Sequence, residues 1–392
     1  MPETNVNRPR YPALDGVRGL AIILVLIHHQ TLLANTGPLS SFMRGVAAYG
    51  WCGVDLFFVL SGFLITGILL DSKNSPQYFK HFYTRRVLRI FPLYYLILCV
   101  CVFILPYIPH PKSQLFGRIA GDEIWYFFFL QNYVIAWHGQ FRHGILDVTW
   151  SLAIEEQFYI IWPMIVAFFR PEKVLLICIA LIIGVLVLRI LIDYNCDISP
   201  VAIYVSTLTR MDGLACGALI AVAVRIAKWE RWLIDYRRVV LVVASISLLF
   251  LTAGLGKRSW ESSIVIRYGY TCNALLFGSL IVELLYAKTD SLLYRLFVNR
   301  FLIAFGKYSY AIYLINLPLA ALIRDTVYGP KRFLTIGGSQ LPGQFIYYVI
   351  CTSLIFTAAV ISWNLIEKRF LAIGKVTVHT PASNEGVGFP AK

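Results

Sequence analysis

The sequence predicts an all-α fold, a polytopic membrane helical bundle of about ten transmembrane helices. Of its 392 residues, 58% are hydrophobic and only 14% are charged. Apolar stretches of about 17–25 residues, the length that crosses a hydrocarbon core, recur along the chain. A soluble protein of this length would need far more polar surface. We therefore expect a single transmembrane domain over residues 1–371 and a disordered cytoplasmic tail over 372–392.

The apolar stretches predict ten spans. They lie near 14–34, 50–70, 90–108, 149–169, 174–193, 201–224, 238–255, 264–286, 302–323 and 344–366. A further apolar stretch, 123–137, is short and is either an eleventh span or a re-entrant segment. The first span follows the basic start of the chain with no small-residue cleavage site between them. We therefore expect no cleavable signal peptide.

Positive charge indicates that 123–137 does not cross, because cytoplasmic loops carry an excess of Lys and Arg. With a cytoplasmic N-terminus and ten spans, 21 of the 35 Lys and Arg residues lie on inner loops, 10 on outer loops and four within spans. An eleventh span would move the basic group 225–238 outside. We expect both termini in the cytoplasm and a location in the cell membrane, the inner membrane of a bacterium. The net charge of +14 follows from this topology and requires no nucleic-acid partner.

The first span carries a polar stripe along one face. Arg18 and His29 are eleven residues apart, so they face the same side of a helix at about 16 Å separation, whereas His28 points about 100° away. Asp15 lies one turn before Arg18 and can pair with it. Charged groups at membrane depth cost about 2.5–3.5 kcal/mol each and tend to mark functional sites. The alternative is an interfacial ion pair and a histidine at the outer interface.

The second span and the segment after it add further polar groups. Asp55 and Ser61 interrupt an apolar, glycine-containing stretch, which can also be read as helix packing through small residues. Arg86 and Arg89 follow at the cytoplasmic membrane edge and share a helix face. Such a cluster suits an anionic cofactor with several phosphates. It is equally typical of an orientation signal or a lipid-phosphate contact.

A third polar group starts the span after 149. In "TWSLAIEEQFYIIWP", Trp150 begins the helix at the outer side, and Glu155 and Glu156 lie in its first turns. Acidic residues are favoured at a helix N-terminus, so capping is one interpretation. Both glutamates lie further into the helix than a capping residue requires. This position favours a functional role over capping. The eight cysteines have no metal-ligand spacing, and we expect no metal.

These stretches together resemble the acyltransferase family 3 of membrane proteins. The motifs are "YPALDGVRGLAIILVLIHH", "GWCGVDLFFVLSGFLIT", "FYTRRVLRIFPLYY" and "TWSLAIEEQFYIIWP", with weaker similarity at "RMDGLACGALI", "FGKYSYAIYLINLPL" and "SWNLIEKRF". The family implies an arginine and a histidine eleven apart in the first span, matching Arg18 and His29, and a basic pair matching Arg86 and Arg89. The chain departs from the pattern at Asn316, where many relatives have histidine. Some members add an extracellular hydrolase-like domain, which we do not expect here.

The resemblance implies transfer of an acyl group, most often acetyl, from acyl-CoA to a hydroxyl of a sugar or related acceptor. His29 would be the general base, since imidazole titrates near working pH, and Glu155 would orient it or contact the acceptor. Cytoplasmic acyl-CoA, in the first place acetyl-CoA, would be the co-substrate, held by Arg18, Arg86 and Arg89. The other candidates bind substrate or support the structure: Asp15, Asp55, Ser61, Trp150 and Glu156. The expected partners are a cell-surface or lipid-linked carbohydrate and membrane lipids.

Two other functions fit the same residues. A transporter also uses buried Arg, Asp, Glu and His, although the sequence lacks the inverted repeat that many transporters have. A family-like protein that only exports or senses a modified lipid is a third possibility. Turnover of acyl-CoA by purified protein would favour the enzyme, and counterflow in liposomes without turnover would favour the transporter.

Overall fold

The computed structural model describes residues 11–33, 37–104, 121–249 and 259–379. These residues form sixteen α-helices joined by short 3-10 and π-helical turns. Within the same ranges, β structure is limited to one isolated antiparallel bridge between Ile336 and Ser339. The predicted all-α class is confirmed.

The helices follow one another with short connections. They are α1 (Pro12–Gln30), α2 (Pro38–Ala48), α3 (Cys52–Asp71), α4 (Tyr78–Cys99), α5 (Glu123–Phe127), α6 (Gln131–His138), α7 (Trp150–Phe168), α8 (Pro171–Asn195), α9 (Pro200–Val205), α10 (Thr207–Ala223), α11 (Ala227–Leu249), α12 (Tyr270–Leu285), α13 (Leu292–Phe297), α14 (Arg300–Leu322), α15 (Leu341–Ser362) and α16 (Lys368–His379).

Nine helical stretches in the described part of the chain are long and apolar enough to cross a membrane. They are Pro12–Gln30, Pro38–Asp71, Tyr78–Ile104, Gly144–Phe168, Pro171–Asn195, Pro200–Ala223, Val265–Leu285, Arg300–Arg332 and Leu341–Ile373. They match nine of the ten expected spans. The other expected span, 238–255, begins within α11, and its last residues, 250–255, lie outside the described residues. The protein is a multi-pass membrane protein.

The apolar segment 123–137 forms two short helices, α5 and α6, of five and eight residues. Neither approaches the roughly 20 residues that a spanning helix needs. The segment is held among longer helices by buried side chains. Gln131 donates to the Thr149 carbonyl at 2.8 Å, and Asn132 donates to the Thr207 hydroxyl at 2.9 Å. These bonds anchor one side of the segment to the bundle, while Phe128 and Trp137 on the segment are exposed.

Helix α1 packs closely against α14 and α3. The contact with α14 depends on glycines, because a Cβ built on Gly19 would lie 2.0 Å from the Leu302 carbonyl oxygen, and one on Gly306 would lie 1.8 Å from that of Asp15. Small residues allow this approach of two backbones. The tight packing keeps α1, which carries Arg18 and His29, inside the bundle.

Two buried ion pairs join α3, α8, α10 and α12. Asp55 pairs with Arg210 and accepts a hydrogen bond from Asn273 Nδ2 at 2.7 Å. Arg189 pairs with Asp212 at 2.8 Å. A buried carboxylate and guanidinium compensate each other only when both are present. These two ion pairs, including Asp55, therefore link the four helices.

Helix α4 carries the arginine pair. The helix starts at Tyr78, twelve residues before the expected span, so Arg86 and Arg89 lie within the helix. At 1.5 Å per residue they are about 12 and 16 Å from its start. The Arg86 guanidinium lies over the rings of Phe82 and Tyr159, at 5.8 and 5.3 Å from their centroids. Cation–π contacts of this kind help a cation leave water.

Helix α16 spans residues 368–379 and so overlaps the first residues of the expected tail, 372–392. Residues 380–392 lie outside the described residues. Apolar positions recur through the first turns of α16, which allows the helix to continue directly from the preceding π-helical turn.

Candidate active site

Three arginines from two helices meet in one cavity of about 110 Å³, which we call the arginine cavity. Arg18 comes from α1, and Arg86 and Arg89 come from one face of α4. Arg18 Nη1 lies 3.4 Å from Asp15 Oδ1, as its spacing predicted. The sequence indicated each arginine separately, and the structure brings all three together.

The arginine cavity also contains the carboxylate of Glu155. This side chain hydrogen-bonds with Ser61 and Tyr159 and interacts electrostatically with Arg86 and Arg18. The Ser61 and Tyr159 hydroxyl oxygens are 2.6 Å apart. Glu155 is the only acidic residue among those lining this cavity, so three arginines leave the lining net positive. Such a lining suits a polyanion, since guanidinium groups bind phosphates in bidentate fashion.

The structure places Glu155 in the lining of the arginine cavity and not in that of the cavity around His29, and its role toward His29 stays a prediction. Glu155 lies five residues after Trp150, the first residue of α7, which is about 7.5 Å along the helix. Glu156 is buried and does not line the arginine cavity. Its Oε1 atom has no hydrogen-bond partner among the described residues.

A second cavity of about 410 Å³ contains His28 and His29, and we call it the histidine cavity. Its wall is largely aromatic: Trp51, Phe141, Trp150, Tyr204, Trp260 and Tyr313. Arg142 and Asp147 are the other ionisable residues of the lining. Both histidines line the cavity although they point in different directions on α1, and their ring centroids are 5.6 Å apart.

His29 has a partner that sequence reasoning missed. Its Nδ1 atom lies 2.6 Å from Oδ1 of Asn316, which is fully buried in α14. Tyr310, Tyr313 and Asn316 follow one another at intervals of three residues, so they lie near one face of α14. That spacing was visible in "SYAIYLIN", but nothing in the sequence indicated that this face would meet α1.

The two cavities lie end to end. Val54 and Tyr313 line both of them, with Arg18 on one side and His29 on the other. The Tyr313 hydroxyl donates to the Val148 carbonyl at 2.7 Å and lies 2.6 Å from the Ser151 hydroxyl. These bonds hold the ring between the cavities. A ligand in one cavity is thus separated from a ligand in the other by two side chains.

Trp150 joins the structural ion pair to the histidine cavity. Its ring lies 5.8 Å from the Arg210 guanidinium and packs 4.7 Å from the Tyr204 ring, both measured to ring centroids. Tyr204 and Tyr270 cover the same guanidinium at 5.0 and 4.1 Å. The Asp55–Arg210 pair therefore supports the aromatic wall and lies outside the linings of both cavities.

The connection between α6 and α7 forms another wall of the histidine cavity. Phe141, Arg142 and Gly144 line it. The segment is anchored by His143, whose Nε2 lies 3.0 Å from Asp122 Oδ2. Burial lowers the pKa of the His143 imidazole, although the Asp122 carboxylate acts in the opposite direction. The imidazole is therefore neutral at neutral pH and serves as a hydrogen-bonding anchor.

Comparisons with known proteins agree with this architecture. Residues 11–364 match the family model described as acyltransferase domain. The peptidoglycan O-acetyltransferase OatA of Listeria monocytogenes is 31% identical over 334 residues, covering 81% of this chain and 51% of that protein. The O-acetyltransferase OatA of Staphylococcus aureus is 26% identical over 385 residues, covering 92% of this chain and 57% of that protein. The chain thus spans about half the length of these curated relatives. No solved structure gives a significant match.

Proposed function

The chain belongs to the acyltransferase family, and we propose that it is an O-acetyltransferase that moves an acetyl group from acyl-CoA to a hydroxyl of a carbohydrate. The observation that carries the proposal is the pair of adjoining cavities, one lined by three arginines and the other by His29 and aromatic rings. A transferase with a polyanionic donor and a neutral acceptor needs two such sites that meet at the reacting atoms.

The arginine cavity suits the donor. Acyl-CoA carries several phosphate charges, and Arg18, Arg86 and Arg89 can each make a charge-assisted hydrogen bond to them. The long pantetheine arm would then lead the thioester along α1 toward His29, across the roughly 16 Å between Arg18 and His29. Val54 and Tyr313 lie at the point where donor and acceptor would meet.

The histidine cavity suits a sugar acceptor. The apolar faces of sugar rings pack on aromatic side chains, while a few polar groups fix the hydroxyls. Trp260 supplies a partly exposed aromatic ring, backed by the buried Trp51 and Trp150, and Arg142 and Asp147 supply polar groups. The name of the Listeria monocytogenes relative makes the glycan of peptidoglycan the acceptor that we propose.

The proposed reaction is one acyl transfer. His29 takes the proton of the acceptor hydroxyl as that oxygen attacks the thioester carbonyl carbon. The tetrahedral intermediate then collapses, the carbon–sulfur bond breaks, and CoA leaves as a thiolate that takes up the proton from the imidazolium. The products are the acetyl ester and free CoA, so atoms and charges balance without a metal.

Turnover by the purified full chain in nanodiscs tests this proposal directly. Radiolabelled acetyl-CoA is supplied with a soluble peptidoglycan fragment, and ester-linked label on the glycan is measured together with released CoA. We expect both products in equal amounts. Counterflow of the fragment in proteoliposomes without ester formation would instead support a transporter, the second function that buried charged residues allow.

Replacing Arg86 or Arg89 by alanine should raise the KM for acetyl-CoA about 10- to 100-fold. Each variant loses a charge-assisted contact worth about 1.5–3 kcal/mol. The KM for the glycan fragment should stay within about twofold of wild type, because the two ligands occupy different cavities. Arg85→Ala is the matched control, since Arg85 is exposed on the same helix and does not line the cavity. Equal increases of the KM for acetyl-CoA in the Arg85 and Arg86 variants would contradict a specific phosphate contact by Arg86. They would indicate that any positive charge on this helix has the same effect.

We also propose that both termini and the arginine side of α4 face the cytoplasm, where acyl-CoA is available. Cys196, which follows α8, would then lie on the outer side of the cell membrane. All eight cysteines are in the described residues, and Cys196 is the only exposed one. A membrane-impermeant maleimide should label wild-type protein in intact cells and fail to label Cys196→Ser.

The control for sidedness introduces Thr289→Cys into the Cys196→Ser protein. Thr289 is exposed between α12 and α13 and would face the cytoplasm, so labelling should require permeabilised cells. Labelling of Thr289→Cys in intact cells would contradict the proposed cytoplasmic position of this connection.

A further inference from the structure

The contact between His29 and Asn316 joins residues 287 positions apart in the chain. His29 Nδ1 and Asn316 Oδ1 are separated by 2.6 Å. Asn316 is fully buried, while His29 is partly exposed and lines the histidine cavity. A buried amide bonded to a cavity histidine restricts the ring, because breaking the bond would leave the amide oxygen unsatisfied.

The orientation of the Asn316 amide follows from its second hydrogen bond. Its Nδ2 atom donates to the carbonyl oxygen of Tyr313, one turn earlier in α14. Turning the amide over would set its oxygen against that carbonyl oxygen, and two acceptors without a hydrogen between them repel. The atom facing His29 is therefore the amide oxygen, which only accepts hydrogen bonds.

A neutral imidazole has one nitrogen that donates and one that accepts. Because Asn316 presents an acceptor, the nitrogen facing it must carry the hydrogen. We infer that Asn316 is a positioning residue that holds His29 with its proton on Nδ1, so that Nε2 is free to accept the proton of the acceptor hydroxyl. This inference rests on the acyl transfer proposed above.

The same hydrogen bond supports the step in which His29 becomes charged. When Nε2 takes a proton, the Nδ1 hydrogen bond becomes charge-assisted and therefore stronger, without any rotation of the ring. A histidine in the other tautomer would present a hydrogen to the substrate hydroxyl and could not accept its proton. The wrong tautomer costs a histidine-dependent acyl transferase up to about four orders of magnitude in rate.

The tautomer can be measured by ¹⁵N NMR of the full chain labelled in its histidine rings. The chain has seven histidines, and a His29→Gln sample assigns the His29 signals by difference. In wild type we expect a protonated Nδ1 and an unprotonated Nε2. In Asn316→Leu we expect a substantial share of His29 to carry its proton on Nε2. A proton on Nε2 in wild type, or an unchanged tautomer in Asn316→Leu, would overturn the inference.

Kinetics of the same variants give the second readout. Asn316→Leu should lower kcat about 100-fold, while the KM for acetyl-CoA stays within twofold. Asn316→Asp keeps an acceptor oxygen in the same shape, so its kcat should stay within about tenfold of wild type and its His29 proton should stay on Nδ1. Equal losses in the two variants would contradict a role for the acceptor oxygen.

Asn364→Leu is the matched control. Asn364 also donates from Nδ2 to a backbone carbonyl, that of Val360, at 2.9 Å. It is exposed and far along the chain from His29. It should change neither kcat nor the tautomer. The NMR measurement needs no turnover. Wild-type protein with the expected tautomer but without acyl transfer would therefore count against the proposed function and not against the hydrogen-bond assignment.

Discussion

Replacing His29 by alanine is expected to lower kcat for acetyl transfer by about 10²–10⁴-fold, the usual contribution of a general base. The acceptor hydroxyl would then have to lose its proton to water. The KM for acetyl-CoA should change little, because the arginine cavity is separated from His29 by Val54 and Tyr313. Steady-state kinetics on the purified variant measure both quantities.

The neighbouring histidine provides the control for this prediction. His28→Ala removes an imidazole from the same cavity, but among the described residues His28 lacks the side-chain amide partner that His29 has in Asn316. We expect a loss of less than about tenfold. Equal losses in the two variants would remove the assignment of His29 as the base, as would full activity in His29→Ala.

Replacing Asp55 by alanine is expected to cost about 3–5 kcal/mol of unfolding free energy. The substitution leaves the Arg210 guanidinium buried, 1% exposed, without its carboxylate. The substitution also removes the acceptor of the Asn273 hydrogen bond. The Arg210 guanidinium, which packs on the Tyr270 ring, would no longer be held by Asp55. Unfolding by SDS titration in mixed micelles measures the free energy, and the yield of folded protein gives a second measure.

An exposed ion pair is the control for the Asp55 prediction. Asp71→Ala breaks a pair with Arg225 at 2.8 Å, but both side chains are about one-third exposed, so the cost should stay below about 1 kcal/mol. The double variant Asp55→Leu, Arg210→Met removes both buried charges and should recover most of the lost stability. A similar cost for Asp55→Ala and Asp71→Ala would contradict a structural role for the buried pair.

The sequence predicts the helical membrane bundle well because its signals are local. Span length and hydropathy depend on about twenty consecutive residues, and nine of the ten expected spans appear as long apolar helices. The helical period likewise places Arg86 and Arg89 on one face without knowledge of any neighbour. Helix α4 begins twelve residues before the expected span, because the cations at 85, 86 and 89 lower the hydropathy of a segment that is still helical.

The partners of the site residues were less predictable. Glu155 was expected beside His29 because both were assigned to the outer side, yet it lies with Arg18 and Arg86. Glu155 lies only about 7.5 Å along α7 from Trp150, which lines the histidine cavity. A topology assigns a residue to one side of the membrane, and it cannot resolve depth to one turn of helix.

The sequence by itself determined that the chain is a multi-pass helical membrane protein of the acyltransferase family, with Arg18 and His29 on one helix, about 16 Å apart. These properties follow from composition, from the order of motifs and from the helical period. Only the tertiary structure decided that Asp55 pairs with Arg210, that Glu155 joins the arginines and that Asn316 meets His29. Each of these contacts joins different helices, and the distances across helices depend on how closely glycine-lined backbones such as those of α1 and α14 pack.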